Sequence, residues 1–513
     1  MPRTSTRVIK NTGYLYARIM VSMVLSLWTT RIILNTLGIS DFGLYNIIGG
    51  AIGMLGFLDA SMARATQRYL NYSQGEGKIE KCKEIFNISI ILHFIIAILL
   101  IFLLSAAGWL FFNGILNIPM GREKAAVIIY CCFIVSTVFT VMTVPYDATL
   151  NAHENMAYYA MIGIISSILK LVAAYVIVWF CGDKLVLYGI MMVAISVLTM
   201  IVMRIYCKKK YVECIFRPAI YWNKDKAKEM TIFAGWNFLG SFSCIVGNYG
   251  NGLVMNHFYG VALNAATGVA NQVLGQMQVF SSHLQKAIYP AITKSEGAGN
   301  RMLMLELSVT GCKFSFATLA IFAIPFIIEM GYIQQLWLVD VPQWAVLFSQ
   351  LIIIRSLIEH MTQPLVQTIM AVGHIVGLNR VVFIFNLLPV TITFTFFSFG
   401  YPPFTMYIVN IIVFGVFISL VNIFFCHKIC GLNYKRFCTE VVIPLTLSFC
   451  IAFMLVSIPM FMGCTGIGCC ILSFIIGFTA YPFLFWKTCI NSQEKEIVRS
   501  IVKKAYHHYR PNL

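Results

Sequence analysis

The chain has 513 residues, of which 59% are hydrophobic and only 11% are charged. A soluble protein carries charge on about a quarter of its residues, so a water-soluble globular fold is excluded. The formal net charge is +17, and its placement reads as a membrane-topology signal that needs no nucleic-acid partner.

Apolar runs long enough to cross about 30 Å of hydrocarbon as helices recur to the end of the chain. They predict fourteen spans at roughly 13–37, 42–61, 86–111, 125–146, 158–181, 186–206, 231–256, 262–287, 304–329, 343–370, 380–399, 404–426, 440–462 and 467–487. The alternating polarity of a membrane β-barrel is missing. The expected fold class is an all-α integral membrane protein. Arg3, Arg7 and Lys10 precede span 1, and no small-residue cleavage site follows a compact apolar core. Span 1 therefore reads as a retained helix.

Within the spans, polar residues form patterns. In span 1, Arg18, Ser22, Ser26 and Thr29 share a face, while Arg31 points about 140° away on a straight helix. Asp59 and Glu329 lie near span ends, where interfacial water is expected to reach them. Span 5 carries Lys170 and span 9 carries Lys313. Span 7 is rich in glycine (Gly235, Gly240, Gly247, Gly250, Gly252) and in asparagine (Asn237, Asn248, Asn251). That composition suits close helix packing or a bendable helix lining a wet groove. In span 8, Asn264, Asn271, Gln278 and Gln285 recur every seven residues, so the amides lie along one face. They can bond neighbouring helices or contact sugar. Span 10 places Arg355, Glu359, Gln363 and Gln367 at i+4 steps. Arg355 and Glu359 can pair, and a buried carboxyl there could titrate and couple a proton to transport.

Five cations thus sit at depth, Arg18, Arg31, Lys170, Lys313 and Arg355, against one acid, Glu359. Each mid-bilayer Lys or Arg costs roughly 3 kcal/mol or more, so such residues usually face protein or water. A cation-lined interior predicts an anionic cargo. Cys426, His427, Cys430 and Cys438 cluster near a helix end but match no standard zinc spacing. No phosphate-cradling glycine loop is present, and His153-Glu154 lacks the second histidine of a metalloprotease motif. No metal, cofactor or enzymatic activity is expected.

Outside the spans, Lys and Arg fall on alternate connections. With the N-terminus in the cytoplasm, cytoplasmic segments hold 29 of the 37 basic residues and the opposite side only Arg122, Lys124 and Lys184. This predicts an N-in, C-in topology. The chain also matches itself at a shift of 222 residues. Gly38 meets Gly260, Arg64 meets Lys286, and Ser73, Gly75 and Gly77 meet Ser295, Gly297 and Gly299. A shift of six spans preserves orientation, giving a parallel repeat with cargo expected at its interface. The domains are then a lobe of spans 1–6 (1–228), a lobe of spans 7–12 (229–427), two extra spans (428–488) and a basic tail (489–513).

The run LG-x-x-x-FG-x-Y at Leu37–Tyr45 and the run TQRYL at Thr66–Leu70 resemble the Wzx-type polysaccharide-biosynthesis flippases of the multidrug/oligosaccharidyl-lipid/polysaccharide exporter superfamily, especially those of Bacteroidetes-type bacteria. The two six-helix lobes plus two helices match the MATE-like plan of that superfamily. The resemblance implies a cargo of undecaprenyl-pyrophosphate-linked oligosaccharide, moved from the cytoplasmic to the periplasmic leaflet of the bacterial inner membrane. It also implies alternating access, proton or sodium coupling in some members, and as possible partners a polysaccharide polymerase and a chain-length regulator. Under that reading Arg18, Arg31, Lys170, Lys313 and Arg355 attract the pyrophosphate, Asn264, Asn271 and Gln278 contact sugar, and Glu359 and Asp59 are coupling candidates. An ion-coupled multidrug exporter would favour acids over bases at depth. A polymerase or ligase would carry a large outer loop, and the longest here is about a dozen residues.

Overall fold

The computed structural model describes residues 2–53, 56–112, 121–338, 340–491 and 494–495, with the side chains of 2–9, 27, 39–40, 46–47, 50–51, 53, 56–59, 261–262 and 264–265 outside the described residues. Those described residues form helices and short connections. The first nine helices are α1 (Pro2–Gly53), α2 (Gly56–Gly75), α3 (Ile79–Leu110), α4 (Glu123–Ala152), α5 (Met156–Trp179), α6 (Lys184–Lys210), a short α7 (Pro218–Tyr221), α8 (Lys224–Tyr259) and α9 (Val261–Gly297). The rest are α10 (Arg301–Trp337), α11 (Ala345–His360), α12 (Gln363–Val372), α13 (Val376–Ser398), α14 (Thr405–Asn410), α15 (Ile418–Cys430), α16 (Tyr434–Phe437), α17 (Ile443–Phe461) and α18 (Ile467–Thr488). A π-helical stretch, Ile411–Phe417, joins α14 to α15.

Twelve helices among the described residues are long and apolar enough to cross a membrane. The protein is a multi-pass membrane protein. Of the two other expected spans, 262–287 lies in α9, which is too polar to meet that standard, and 42–61 runs across residues 54–55, which lie outside the described residues.

The repeat is visible in backbone conformation. Gly38 (φ 77°, ψ 170°) breaks α1, and Gly260 (φ 77°, ψ −174°) separates α8 from α9. This is a region of backbone space essentially restricted to glycine. Further on, Lys78 N bonds Ser73 O while Gly77 N bonds Gln74 O, and Asn300 N bonds Ser295 O while Gly299 N bonds Glu296 O. Both are the 6→1 and 5→2 pattern of a Schellman cap, at positions 222 apart. Gly38→Ala and Gly260→Ala should each cost about 1–3 kcal/mol, read as a lowered unfolding midpoint of the purified protein. An unchanged midpoint in both would show that the breaks are not held by glycine.

The chain divides into two compact units, Lys10–Phe238 and Leu239–Leu513 with the first nine residues. In the first unit, α4 packs against α2, α3 and α6. Its core gathers Leu44, Ile48, Leu100, Ile129 and Tyr130. Gly189 lets α6 approach closely, since a Cβ there would lie 2.4 Å from Ile129 Cδ1. Polar clamps hold both ends of α4. At its start, Arg122 bridges Asp41 and Asp183, with Nη1 2.8 Å from Asp183 Oδ2. Beyond its end, His153 Nε2 lies 2.5 Å from Glu213 Oε1, and Gln74 Nε2 donates to the same oxygen at 3.3 Å.

Burial alone would raise the Glu213 carboxyl. The His153 ring, the backbone and Gln74 outweigh it and hold the group below its ordinary value. A depressed carboxyl stabilises the fold above its unfolded pKa and loses that contribution as pH falls through the folded value. The unfolding midpoint of the wild-type protein should therefore drop more steeply than that of Glu213→Gln below a pH of roughly 4.3. Parallel profiles would refute the clamp.

In the second unit, α10 is the hub, packing against α9, α11, α12, α17 and α18. The glycine run of α8 serves as a packing seam in part. A Cβ at Gly247 would lie 2.3 Å from Asn386 O, and one at Gly250 would lie 2.9 Å from Val390 Cγ2. Asn386 Nδ2 donates to Ser243 Oγ at 2.9 Å and Asn251 Nδ2 donates to Asn410 Oδ1 at 3.1 Å. Gly235 and Gly252 face open space.

Candidate functional site

The intramembrane charges fall into two environments. In the first unit, Arg18 lies half-buried between α1 and α5. Its guanidinium carbon sits 4.5 Å from the Tyr159 ring centroid, a cation–π arrangement. The same group lies against the backbone of Gly163, where a Cβ would be only 2.1 Å from Arg18 Nε. One turn further along α1, Ser22 Oγ accepts from Ser167 Oγ at 3.1 Å. Tyr159, Gly163, Ser167 and Lys170 follow one face of α5 at helical spacing. Lys170 is exposed on that face, one turn beyond Ser167. Among the described residues neither cation has a carboxylate partner. Arg31 is exposed on α1, as its position thirteen residues beyond Arg18 requires.

In the second unit the deep cations are neutralised. Lys313 was expected to line a cavity, but it is 2% exposed and its Nζ lies 3.1 Å from Glu494 Oε2. Thr310 Oγ1 donates to Glu494 Oε1 at 2.8 Å. Glu494 is itself fixed by a reciprocal cap, in which Asn491 N donates to Glu494 Oε2 at 2.9 Å and Glu494 N donates to Asn491 Oδ1 at 2.8 Å. This closed arrangement leaves Lys313 no face for a ligand.

Arg355 Nε donates to Glu359 Oε1 at 2.7 Å, and its guanidinium rests 4.8 Å from the Phe414 ring centroid. The expected i+4 series Arg355–Gln367 is not one continuous helix. Pro364 opens α12 after a break at Met361 and Thr362. Phe414 belongs to the π-helical stretch, so Arg355 and Glu359 sit where two neighbouring helices are both irregular. Such irregularity inside a membrane is tolerated where protein or water surrounds it. Beside this pair, His360 is buried with Nδ1 2.8 Å from Ser356 O.

Two amides of the predicted α9 stripe, Gln278 and Gln285, are engaged in helix–helix contacts. Gln278 Nε2 donates to Ser356 Oγ at 3.0 Å. Gln285 Nε2 donates to Gln363 Oε1 at 3.0 Å, and Tyr289 OH donates to Gln285 Oε1 at 2.8 Å. Asn271 differs, being exposed on a turn near Gly268 and Gly275, both of which face open space. The side chains of Asn264 and Asp59 lie outside the described residues. Glu329 does not reach interfacial water as expected. It is 8% exposed and accepts from Ser473 Oγ at 2.7 Å and Cys469 Sγ at 3.4 Å, tying α10 to α18. His427 Nδ1 lies 2.7 Å from Leu432 O, and no metal-ligating group of three is found among the described residues.

Sequence reasoning did not single out Tyr159, Gly163 or Glu494. The first two emerge only when α5 is laid against α1. Glu494 carried a signal, the N-x-x-E spacing of a helix cap at Asn491.

Comparison with known proteins agrees with this architecture. The protein family described as "Polysaccharide biosynthesis protein" matches residues 8–296. A search of curated proteins finds no match. Among solved structures, a MATE transporter mutant matches with a TM-score of 0.71 at 12% identity, covering 83% of this chain and 96% of the other. An outward-facing multidrug resistance MATE family transporter of the MOP superfamily matches with 0.69 at 12%, again over 83% and 96%. A MOP superfamily transporter from Pyrococcus furiosus, for which a reversed binding-pocket polarity is described, matches with 0.66 at 12% over the same shares. At these identities the likeness is one of fold.

Proposed function

The chain belongs to the polysaccharide biosynthesis protein family, and on that premise we propose that this MOP superfamily transporter flips lipid-linked oligosaccharide units. The cargo is an undecaprenyl-pyrophosphate-linked saccharide, carried from the cytoplasmic to the periplasmic leaflet of the inner membrane. It serves synthesis of a surface polysaccharide such as O-antigen, capsule or exopolysaccharide. On this reading the protein moves its cargo without covalent chemistry.

One observation carries the reading. Among the described residues Arg18 on α1 and Lys170 on the facing helix α5 have no carboxylate partner, while Lys313 and Arg355 are each held by one. Holding two charges without counter-ions is costly inside a membrane. A diphosphate supplies the missing negative charge and accepts the charge-assisted hydrogen bonds that guanidinium and ammonium donate. Asn271 offers an amide to sugar hydroxyls, and Gln278 adds one if its bond to Ser356 opens. Arg31 is exposed and can contribute to long-range attraction. Glu359, beside the helix break, is the coupling candidate, because taking up a proton would release Arg355. A downstream polymerase and chain-length regulator are the expected partners.

The test uses purified protein in liposomes. A fluorescent pyrophosphate-linked saccharide lipid should cross, whereas the same lipid with a neutral linkage and a cationic drug should not. Preferential export of the cationic drug would replace this reading with that of a multidrug exporter.

A further inference from the structure

The connection between α6 and α8 exposes large apolar side chains. Val212, Phe216, Ile220 and Trp222 are 62%, 53%, 65% and 45% exposed. The segment is nevertheless firmly held. Asn87, buried in α3, donates from Nδ2 to Ile215 O at 2.8 Å and accepts from Arg217 N at 2.7 Å. Bonds to the backbone on both sides of Phe216 leave its side chain directed outward. The apolar exposure is therefore imposed by a built structure.

Beneath this segment, where α3 and α8 begin, lies a pocket of about 530 Å³. Its charges are not all internally balanced. Glu80 pairs with Lys83 and Lys81 pairs with Glu76. Glu84 and Lys224 also line the pocket, and among the described residues neither has an ionic or hydrogen-bonded side-chain partner. Ile220, Tyr221 and Trp222 form the apolar and aromatic part of the wall. One open carboxylate, one open ammonium and an apolar rim occur together at the start of two membrane-crossing helices.

We propose that this pocket binds the headgroup of an aminophospholipid. Glu84 takes the primary ammonium, Lys224 takes the phosphodiester, and the acyl chains lie along Phe216, Ile220 and Trp222. The opposed charges match a zwitterion better than a simple anion. Trp and Tyr favour the level of the headgroups, and exposed apolar side chains beside bases suit an interfacial segment. A soluble phosphate compound would leave the apolar rim in water.

Native mass spectrometry of the full-length protein, incubated with equal amounts of phosphatidylethanolamine, phosphatidylcholine and phosphatidylglycerol of identical acyl chains, tests the assignment. The wild-type protein should retain phosphatidylethanolamine by about fivefold over phosphatidylcholine. Glu84→Gln should bring that ratio to near one, and Lys224→Gln should lower retention of both lipids. Trp222→Ala should weaken retention without changing the ratio. An unchanged ratio in Glu84→Gln would overturn the proposal. So would a wild-type preference for phosphatidylglycerol, which would mark a general basic attraction. Displacement of the lipid by equimolar O-phosphoethanolamine would point to a soluble ligand and equally overturn it.

Discussion

Replacing Arg18 and Lys170 together by glutamine should reduce lipid-linked oligosaccharide transport on the order of 100-fold at matched expression. A hydrogen bond to a charged group contributes about 1.5–3 kcal/mol, and two such bonds to the pyrophosphate are lost. The double variant should fold at least as well as wild type, because an unneutralised pair of like charges is removed from the membrane interior. Gly163→Ala provides a second route to the same site. Its new methyl occupies the place of the Arg18 guanidinium, so the charge is kept but displaced. Transport should fall while net charge is unchanged. Complementation of a deletion strain, scored by surface polysaccharide and normalised to membrane-inserted protein, reads both variants. Full activity in Arg18→Gln/Lys170→Gln would remove the pair from the cargo path.

The second large effect concerns stability. Glu494→Gln leaves the Lys313 ammonium buried at 2% exposure with no carboxylate. Breaking a buried pair from one side costs roughly 3–5 kcal/mol, whereas replacing both members is far milder. Glu494→Gln and Lys313→Met should therefore each sharply lower the yield and thermal half-life of the solubilised protein. Lys313→Met/Glu494→Gln should recover most of the loss. Transport per folded molecule should change little in the double variant, which separates this pair from the Arg18–Lys170 pair. Additive losses in the double variant would show that the two side chains do not interact.

The contrast between the two cation environments marks how far sequence alone could reach. Most span positions and the repeat depend on local composition and on a fixed offset, and these are legible. Gly38 and Gly260 show this best, since a shared offset of 222 residues predicted a shared role and both adopt the same rare backbone conformation. Pairing across the fold is another matter. Lys313 and Glu494 are 181 residues apart, and nothing near Lys313 in the chain announces a carboxylate. The α9 amides could equally face sugar or a neighbouring helix. The choice at Gln278 and Gln285 falls to Ser356 and Gln363, each 78 residues distant. Periodicity also overextended the stripe beyond Glu359, because Pro364 cannot continue the helix hydrogen bonds. Arg18 was recognisable as a charge, but its cradle of Tyr159 and Gly163 depends on how α5 meets α1.

The most direct test of the account is the leaflet in which the lipid-linked oligosaccharide accumulates when the gene is deleted. A membrane-impermeant glycan-labelling reagent applied to intact spheroplasts distinguishes the two sides. The account predicts intermediate trapped on the cytoplasmic side and inaccessible to the reagent until the wild-type gene is restored. Single unpolymerised units accessible on the outer leaflet of the deletion strain would contradict it.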